Sequence, residues 1–199
     1  MELGNGQRVP EGGIRGIALL PAVSNAGPLI HLAQISKLHL LKKLFKSVLV
    51  TPEVKREVVD EGIKLGHNDA LIVKEVIDEG GIIVKSITRK GVSTAKRIAK
   101  GENVSKSDAE TLMLAIENKV RSILVDEKIL SDLAKMHGFI VWNTWTILLE
   151  ALRRGFIEIY DVESAIKDLG ERRHKLKAKQ AAEILEAAKR IAFTRQQKN

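Results

Sequence analysis

The chain has 199 residues, enough for one domain of ordinary size with its own hydrophobic core. It has no cysteine, which excludes disulfides, thiolate zinc sites and cysteine nucleophiles. With 33 Lys and Arg residues against 25 Asp and Glu residues, its net charge is +8, which favours a polyanionic partner. No run of residues is typical of a membrane-spanning helix or a secretory signal, so we expect a cytoplasmic protein.

In chain order, short β-branched apolar runs alternate with segments of helical periodicity. The predicted elements are strand Ile17–Val23, helix Leu29–Phe45, strand Val48–Val50, helix Pro52–Glu61, helix Asn68–Ile77, strand Ile82–Val84, helix Asp108–Asn118, strand Ser122–Val125, helix Lys128–Met136 and strand Phe139–Trp142. Gly62, Gly80, Gly101 and Gly138 are predicted to end helices, whereas Pro21 is awkward inside a central strand. The alternation predicts an α/β protein with a mostly parallel sheet of four to five strands and helices on both faces.

The positive charge is concentrated at the end of the chain. Residues 167–199 hold ten basic and four acidic residues, whereas residues 1–166 hold 23 basic and 21 acidic residues. We therefore divide the chain into a loose leader over 1–15, a nearly neutral body over 16–170 and a basic amphipathic helix over 171–199. That helix either packs on the body or on a second subunit, or faces the phosphates of a nucleic acid.

Polar side chains follow the carboxyl ends of three predicted strands. They are Asn25 after the first strand, Asp126 and Glu127 after the fourth, and Asn143 and Thr144 after the fifth. In an open parallel sheet these ends share one edge, where ligands bind. Two carboxylates, Glu57 and Glu110, lie on helices next to those strands. Hard oxygen ligands of this kind suit Mg²⁺ or Mn²⁺ rather than zinc.

Each of these residues also has an ordinary structural interpretation. Glu110 follows a serine by three positions, which is the spacing of a capping box. Asp126 fits the N-cap of the next helix, and Asn25, shortly before a Gly-Pro pair, fits a turn. Glu57 and Glu61 lie on the same flank of one helix, so periodicity does not choose between them. The convergence of four segments on one edge is what favours a functional site.

Five blocks of sequence carry a resemblance to a known family. They are Val23–Ala33 with Ile35–Leu41, Val50–Val58, Ser107–Ala115, Leu124–Lys128 and Gly138–Thr144. In this order and spacing they resemble the PIN-domain family, and in particular a toxin-like prokaryotic branch of VapC-type ribonucleases. The resemblance covers about residues 17–170. It implies a three-layer α/β/α sandwich and a metal-dependent endoribonuclease that hydrolyses RNA phosphodiester bonds.

The resemblance also implies roles for particular residues. It assigns Mg²⁺ or Mn²⁺ binding to Glu110, Asp126, Glu57 and Asn25, with Asp108 as a neighbour, Glu127 as a supporting carboxylate, and Asn25 and Thr144 as residues that orient water or substrate. Asn25 stands where most nuclease members have an acidic residue, and Asn143 stands where a glycine is usual. The implied partners are RNA, an antitoxin protein and a second copy of the chain in a homodimer. The alternative is a PIN-like nucleic-acid-binding or partner-binding protein with little or no catalysis.

Overall fold

The computed structural model describes residues 2–3, 7–8, 19–171 and 176–197. The chain divides into two compact units, one over Ala18–Thr144 and one formed by Met1–Ile17 with Trp145–Asn199. Within the second unit, strands β1 (Glu2–Leu3) and β2 (Gln7–Arg8) pair antiparallel. The rest of the predicted leader and the start of the first predicted strand lie outside the described residues. No helix in the described part of the chain is long and apolar enough to cross a membrane.

A sheet of five parallel strands forms the centre of the first unit. The strands are β3 (Ala22–Ser24), β4 (Val48–Val50), β5 (Ile82–Val84), β6 (Ser122–Leu124) and β7 (Ile140–Trp142). Their spatial order is β5-β4-β3-β6-β7, and helices flank the sheet. This confirms the predicted α/β class and the α/β/α layers. The strand order reverses between β3 and β6, the place where open parallel sheets bind ligands.

The helices of this unit connect the strands. They are α1 (Ala26–Gln34), α2 (Leu40–Leu44), α3 (Pro52–Lys55), a π-helical segment (Arg56–Glu61), α4 (Gly62–Lys64), α5 (Asn68–Asp78), α6 (Arg89–Glu102), α7 (Lys106–Glu117) and α8 (Lys128–Met136). Helix α7 packs against β3, β4 and β6. Its buried side chains Leu112 and Leu114 share a core cluster with Val23 and Ile123 of two neighbouring strands. The sheet and α7 therefore hold the strand ends in fixed relative positions.

Several predicted boundaries are wrong for local reasons. The predicted helix Leu29–Phe45 is two helices, with Ser36 between them at φ 56°, in the left-handed region. Gly62 has helical φ of −58° and begins α4. Gly101 lies inside α6, which ends at Glu102 and is followed by Asn103 at φ 52°. Pro21 precedes β3, so its missing N–H costs the sheet no ladder hydrogen bond.

Helices dominate the second unit. They are α9 (Thr144–Arg153), whose first residue belongs to the first unit, α10 (Ile159–Glu171) and α11 (Ala178–Gln196). Arg195 of α11 donates from Nη1 to the carbonyl oxygens of Leu152 at 3.1 Å and Ile157 at 3.3 Å, and also pairs with Glu158. At least this one cation of the basic C-terminal helix therefore has a structural role within the unit.

Candidate active site at the carboxyl ends of the strands

The two central strands end side by side at the point where the strand order reverses. Ser24 of β3 and Leu124 of β6 are in register, and the Asn25 N–H donates to the Leu124 carbonyl oxygen at 2.9 Å. Asn25 is buried, with 3% of its surface exposed. This pairing brings Asn25 and the segment that carries Asp126 to one edge of the sheet, as the sequence predicts.

The side chain of Asn25 faces carboxylates. Its Nδ2 donates to Asp108 Oδ1 at 2.7 Å and to Glu127 Oε2 at 3.4 Å. Asn25 occupies the N-cap position of α1, but its side chain makes no capping hydrogen bond, so the turn interpretation does not describe what the amide contacts. Its Oδ1 atom is buried and has no hydrogen-bond partner among the described residues. A buried polar atom without a partner is costly, and Nδ2 rather than this oxygen faces the carboxylates.

Asp108, rather than Glu110, contacts Asn25. Asp108 is the third residue of α7, where its Oδ2 accepts from the Ser105 N–H at 3.1 Å while the Ser105 Oγ accepts from the Asp108 N–H at 3.0 Å. This capping box stands two residues earlier than the one considered from the sequence. Glu110 is two residues further, about 200° around the helix, and so it faces elsewhere. Its ion-pair partner is Lys106, at 3.6 Å.

Glu57 lies in the π-helical segment and belongs to the same group of acids. The Ser107 hydroxyl donates to Glu57 Oε2 at 3.5 Å. Partial burial of the carboxylate raises the pKa of Glu57, and the negative charges of Glu127 and Asp108 raise it further. Glu61 is instead paired with Arg56, which resolves the ambiguity that periodicity leaves between the two glutamates. Irregular π segments are frequent at functional sites.

Glu127 is the fourth member of this group. It occupies the N-cap position of α8 without making a side-chain capping bond. Burial of its carboxylate raises the pKa of Glu127, and the charges of Asp108 and Asp126 raise it further against the opposing effects of a backbone hydrogen bond and of His31. We call Asn25, Glu57, Asp108 and Glu127 the acidic cluster. Burial, followed by repulsion from neighbouring carboxylates, disfavours the charged forms of Glu57 and Glu127 at this edge.

Asp126 lies beside the acidic cluster with both oxygens occupied. Its Oδ1 accepts from the Thr144 N–H at 2.8 Å, and its Oδ2 accepts from the Thr144 hydroxyl at 2.8 Å and lies 2.6 Å from His31 Nδ1. It is therefore not the N-cap of α8. A Cβ added at Gly27 would lie 3.3 Å from Asp126 Oδ2, so the glycine lets α1 approach this carboxylate closely. Sequence reasoning missed His31 because no paired spacing marks it.

The donor chemistry of the acidic cluster fits a hard divalent cation. Carboxylate and amide oxygens are the ligands that Mg²⁺ and Mn²⁺ prefer. A cation would offset both the cost of burying the two glutamates and the repulsion that together raise their pKa values. As they stand, no three His, Asp or Glu side chains in the described ranges are arranged to hold a metal ion. The acidic cluster thus has suitable ligand atoms for a divalent cation, and its side chains would have to rotate to bind one.

Comparison with known proteins shows the family to which the chain is related. A family model described as PIN domain matches residues 21–190, most of the chain. The chain belongs to the PIN-domain family. Among solved structures, this PIN-domain protein is similar to the crystal structure of PAE2754 from Pyrobaculum aerophilum, with 16% identity, coverage of 66% of this chain and 96% of that chain, and a TM-score of 0.48. No curated protein matches it. PIN domains are in general nucleases, whereas the toxin-like branch stays a prediction.

Proposed function

We propose that this PIN-domain protein is a Mg²⁺- or Mn²⁺-dependent endoribonuclease of the toxin type. The observation that carries the proposal is the acidic cluster at the strand-order reversal, with its repelling carboxylates and the unpartnered Asn25 Oδ1. Structural ion-pair networks place cations beside carboxylates. In contrast, the nearest donor to Asp108 and Glu127 across the site is a neutral amide. A site left short of positive charge suits a divalent cation.

The residues that would hold the ion are the carboxylates of Glu57, Asp108 and Glu127. Rotation of the Asn25 amide by half a turn would present its Oδ1 to the same point, because the two ends of the amide are nearly isosteric. A bound divalent cation lowers the pKa of water and offsets charge on the phosphoryl oxygens. This assignment replaces Glu110 with Asp108 because Asp108 is the residue that contacts Asn25.

Asp126 and Thr144 have a positioning role in this proposal. The two hydrogen bonds from Thr144 fix both oxygens of Asp126, and Asp126 in turn fixes the imidazole of His31. Thr144 is almost completely buried, so it holds Asp126 rather than touching RNA. An oriented imidazole at the edge of a metal site can transfer a proton to or from a reacting oxygen.

A second candidate function is nucleic-acid or partner binding without catalysis. The observation that favours it is the Asn25 amide, which already donates to two carboxylates and so stabilises the cluster without a metal. In that case the acidic edge would be a remnant of a nuclease site. The two functions differ in whether divalent ions bind and in whether RNA is cut.

Cleavage of a labelled single-stranded RNA with Mn²⁺ or Mg²⁺ tests the proposal. We expect cleavage by the unmodified protein, its loss in Asp108→Asn and Glu127→Gln, and its retention in Glu110→Gln. Asn at position 108 can still accept the Ser105 N–H, so Asp108→Asn removes charge with little effect on the cap. Retention of cleavage in Asp108→Asn together with its loss in Glu110→Gln would favour Glu110 as the metal ligand, as expected from the sequence. No cleavage with any divalent ion would favour the binding function.

The proposal includes the partners that the family resemblance implies. They are RNA as substrate, an antitoxin protein that occludes the acidic cluster, and a second copy of the chain in a homodimer. Analytical ultracentrifugation of the purified protein tests the homodimer. A monomer over the whole concentration range would contradict it without affecting the nuclease assignment.

A further inference from the structure

Helix α6 presents an exposed face made almost entirely of cations. It contains five basic residues and one acidic residue, Glu102, although it lies in the part of the chain that is nearly neutral overall. Its exposed positions up to residue 100 are Arg89, Lys90, Ser93, Lys96, Arg97 and Lys100. Among the described residues, Arg89, Lys90, Lys96 and Lys100 have no ion-pair partner, and Arg97 bonds only to a threonine hydroxyl. We call this surface the α6 basic row.

The cations of the row are aligned along the helix. Lys96 and Lys100 are four residues apart on the same face, and Arg89 lies seven residues before Lys96. At 1.5 Å per residue, the row from Arg89 to Lys100 is about 16 Å long. The opposite side of α6 is apolar, with Gly91 and Ala95 buried. The helix is therefore fixed to the protein by one face and presents charge on the other.

The row leads towards the acidic cluster. Thr88, the N-cap of α6, donates through its N–H to Glu117 at the end of α7, at 3.0 Å. The other end of α6 is joined by residues 103–105 to the start of α7, where Asp108 lies. The two helices thus form an antiparallel hairpin. Lys100 is near the end of the hairpin that carries Asp108, Lys96 is near the middle of α6, and Arg89 is at the far end.

We infer that the α6 basic row binds the phosphate backbone of single-stranded RNA and directs the strand to the acidic cluster. This rests on the proposed nuclease function. An acidic site repels a polyanion, so a neighbouring row of cations without acidic partners supplies the attraction that the site lacks. The described exposed face has no aromatic residue on which bases could stack, so binding is independent of sequence.

The composition of the row favours RNA over an acidic protein partner. Protein interfaces are centred on buried apolar or aromatic anchors and are depleted in lysine, and the exposed positions of α6 provide none of those anchors. The row also differs from α11, where Arg195 is bonded to carbonyl oxygens and Arg190 pairs with Glu186. The RNA-binding surface is therefore α6 rather than the basic C-terminal helix.

Equilibrium binding of a fluorescent single-stranded RNA, followed by anisotropy in a chelating buffer that prevents cleavage, tests the inference. We compare Lys96→Gln/Lys100→Gln with Lys179→Gln/Lys189→Gln, which removes the same charge from exposed positions of α11. Each lost phosphate contact should weaken binding about fivefold at about 0.1 M salt, so the α6 variant should lose about 25-fold. Its slope of log K against log salt should fall by about 1.4. The α11 variant should bind like the unmodified protein.

Three outcomes would overturn the inference: unchanged RNA affinity in the α6 variant, an equal loss in the α11 variant, or polyglutamate binding as tightly as the RNA at the same ionic strength. The last would indicate an acidic protein partner. Since glutamine is a good helix former, both variants should keep the fold, which circular dichroism checks. Binding loss in the α6 variant of a protein that never cleaves RNA would support this inference and refute the nuclease proposal. If the α6 variant binds and cleaves RNA like the unmodified protein, the nuclease proposal is supported and this inference is refuted.

Discussion

Replacing Asn25 with aspartate tests the electrostatics of the acidic cluster directly. In the metal-free protein the Asn25 amide donates to Asp108 at 2.7 Å and to Glu127 at 3.4 Å. Asn25→Asp removes these donors and puts a further negative charge against carboxylates that already raise one another's pKa. Because Asn25 is buried, water does little to screen the new charge. We therefore expect the metal-free variant to be less stable than the unmodified protein.

Two terms set the size of this loss. A hydrogen bond to a charged group contributes about 1.5–3 kcal/mol, and that contribution disappears. Repulsion between two unit charges about 4 Å apart adds about 1 kcal/mol in water and about 4 kcal/mol at the effective dielectric of a protein surface. Uptake of a proton by one carboxylate limits the repulsion, so we expect a total loss of about 3 kcal/mol. A divalent ion at about one hundred times its Kd returns about 2.7 kcal/mol, which offsets nearly all of it.

Urea unfolding near neutral pH, in chelator and in excess Mn²⁺, measures both effects. Asn25→Ala is the control, because it loses the same donors without adding charge; it should be destabilised less in chelator and gain less from Mn²⁺. Calorimetry should show tighter Mn²⁺ binding by Asn25→Asp than by the unmodified protein. Equal stability of Asn25→Asp and the unmodified protein in chelator, with no response to Mn²⁺, would refute the assignment of this edge as a cation site.

Three further changes test the site and the second unit. The raised pKa of Glu127 means that its carboxyl group binds a proton more tightly in the folded protein than in the unfolded chain. In chelator, the free energy of unfolding should therefore fall as the pH rises from about 4.3, the pKa of glutamate in the unfolded chain, through the pKa in the folded protein. Glu127→Gln should flatten this dependence of the free energy of unfolding on pH, measured from urea midpoints. An unchanged dependence would show that Glu127 does not cause it. Thr144→Val removes one bond to Asp126 and should cost about 1.5–3 kcal/mol in urea unfolding, with Thr144→Ser near the unmodified value. Arg195→Met should lower the free energy of unfolding by about 2 kcal/mol because it removes bonds to two carbonyl oxygens and a carboxylate. The control Arg190→Met, at an exposed ion pair, should lower it by less than about 1 kcal/mol. Equal effects of the two substitutions in thermal unfolding would count against a structural role for Arg195.

Four of the five strands could be predicted closely from the sequence because their patterning is local, whereas β3 (Ala22–Ser24) shares only Ala22 and Val23 with the predicted strand Ile17–Val23. Val48–Val50 and Ile82–Val84 agree with the structure at both ends, since each is a β-branched run bounded by polar or turn residues. Helix α6 was missed because its buried residues, Gly91 and Ala95, are small and the helix is rich in charged residues. The break at Ser36 depends on a left-handed backbone conformation in a residue other than glycine, for which the sequence carries no clear signal.

The site could be predicted only to the level of the segments that meet there. Topology alone brings Asn25 and Asp126 together, because residues that follow adjacent parallel strands share an edge. The choice between Asp108 and Glu110 depends on the rotation of α7 about its axis. That rotation is set by where the capping box begins, and it begins at Ser105. Two serines, Ser105 and Ser107, offer the same spacing to an acidic residue, so the sequence pattern fits either one.

The capping box also connects the fold of the first unit to its charge. Asp108 caps α7 with one oxygen and receives Asn25 with the other, so the start of α7 is fixed to the end of β3. Helix α6 is fixed to the same helix, at the far end through Thr88 and Glu117 and at the near end through the short connection. The basic row and Asp108 of the acidic cluster therefore belong to one helical hairpin. If the row binds RNA as inferred above, a strand bound along it would be held near Asp108 whatever its sequence, which positions a flexible polyanion beside the acidic cluster.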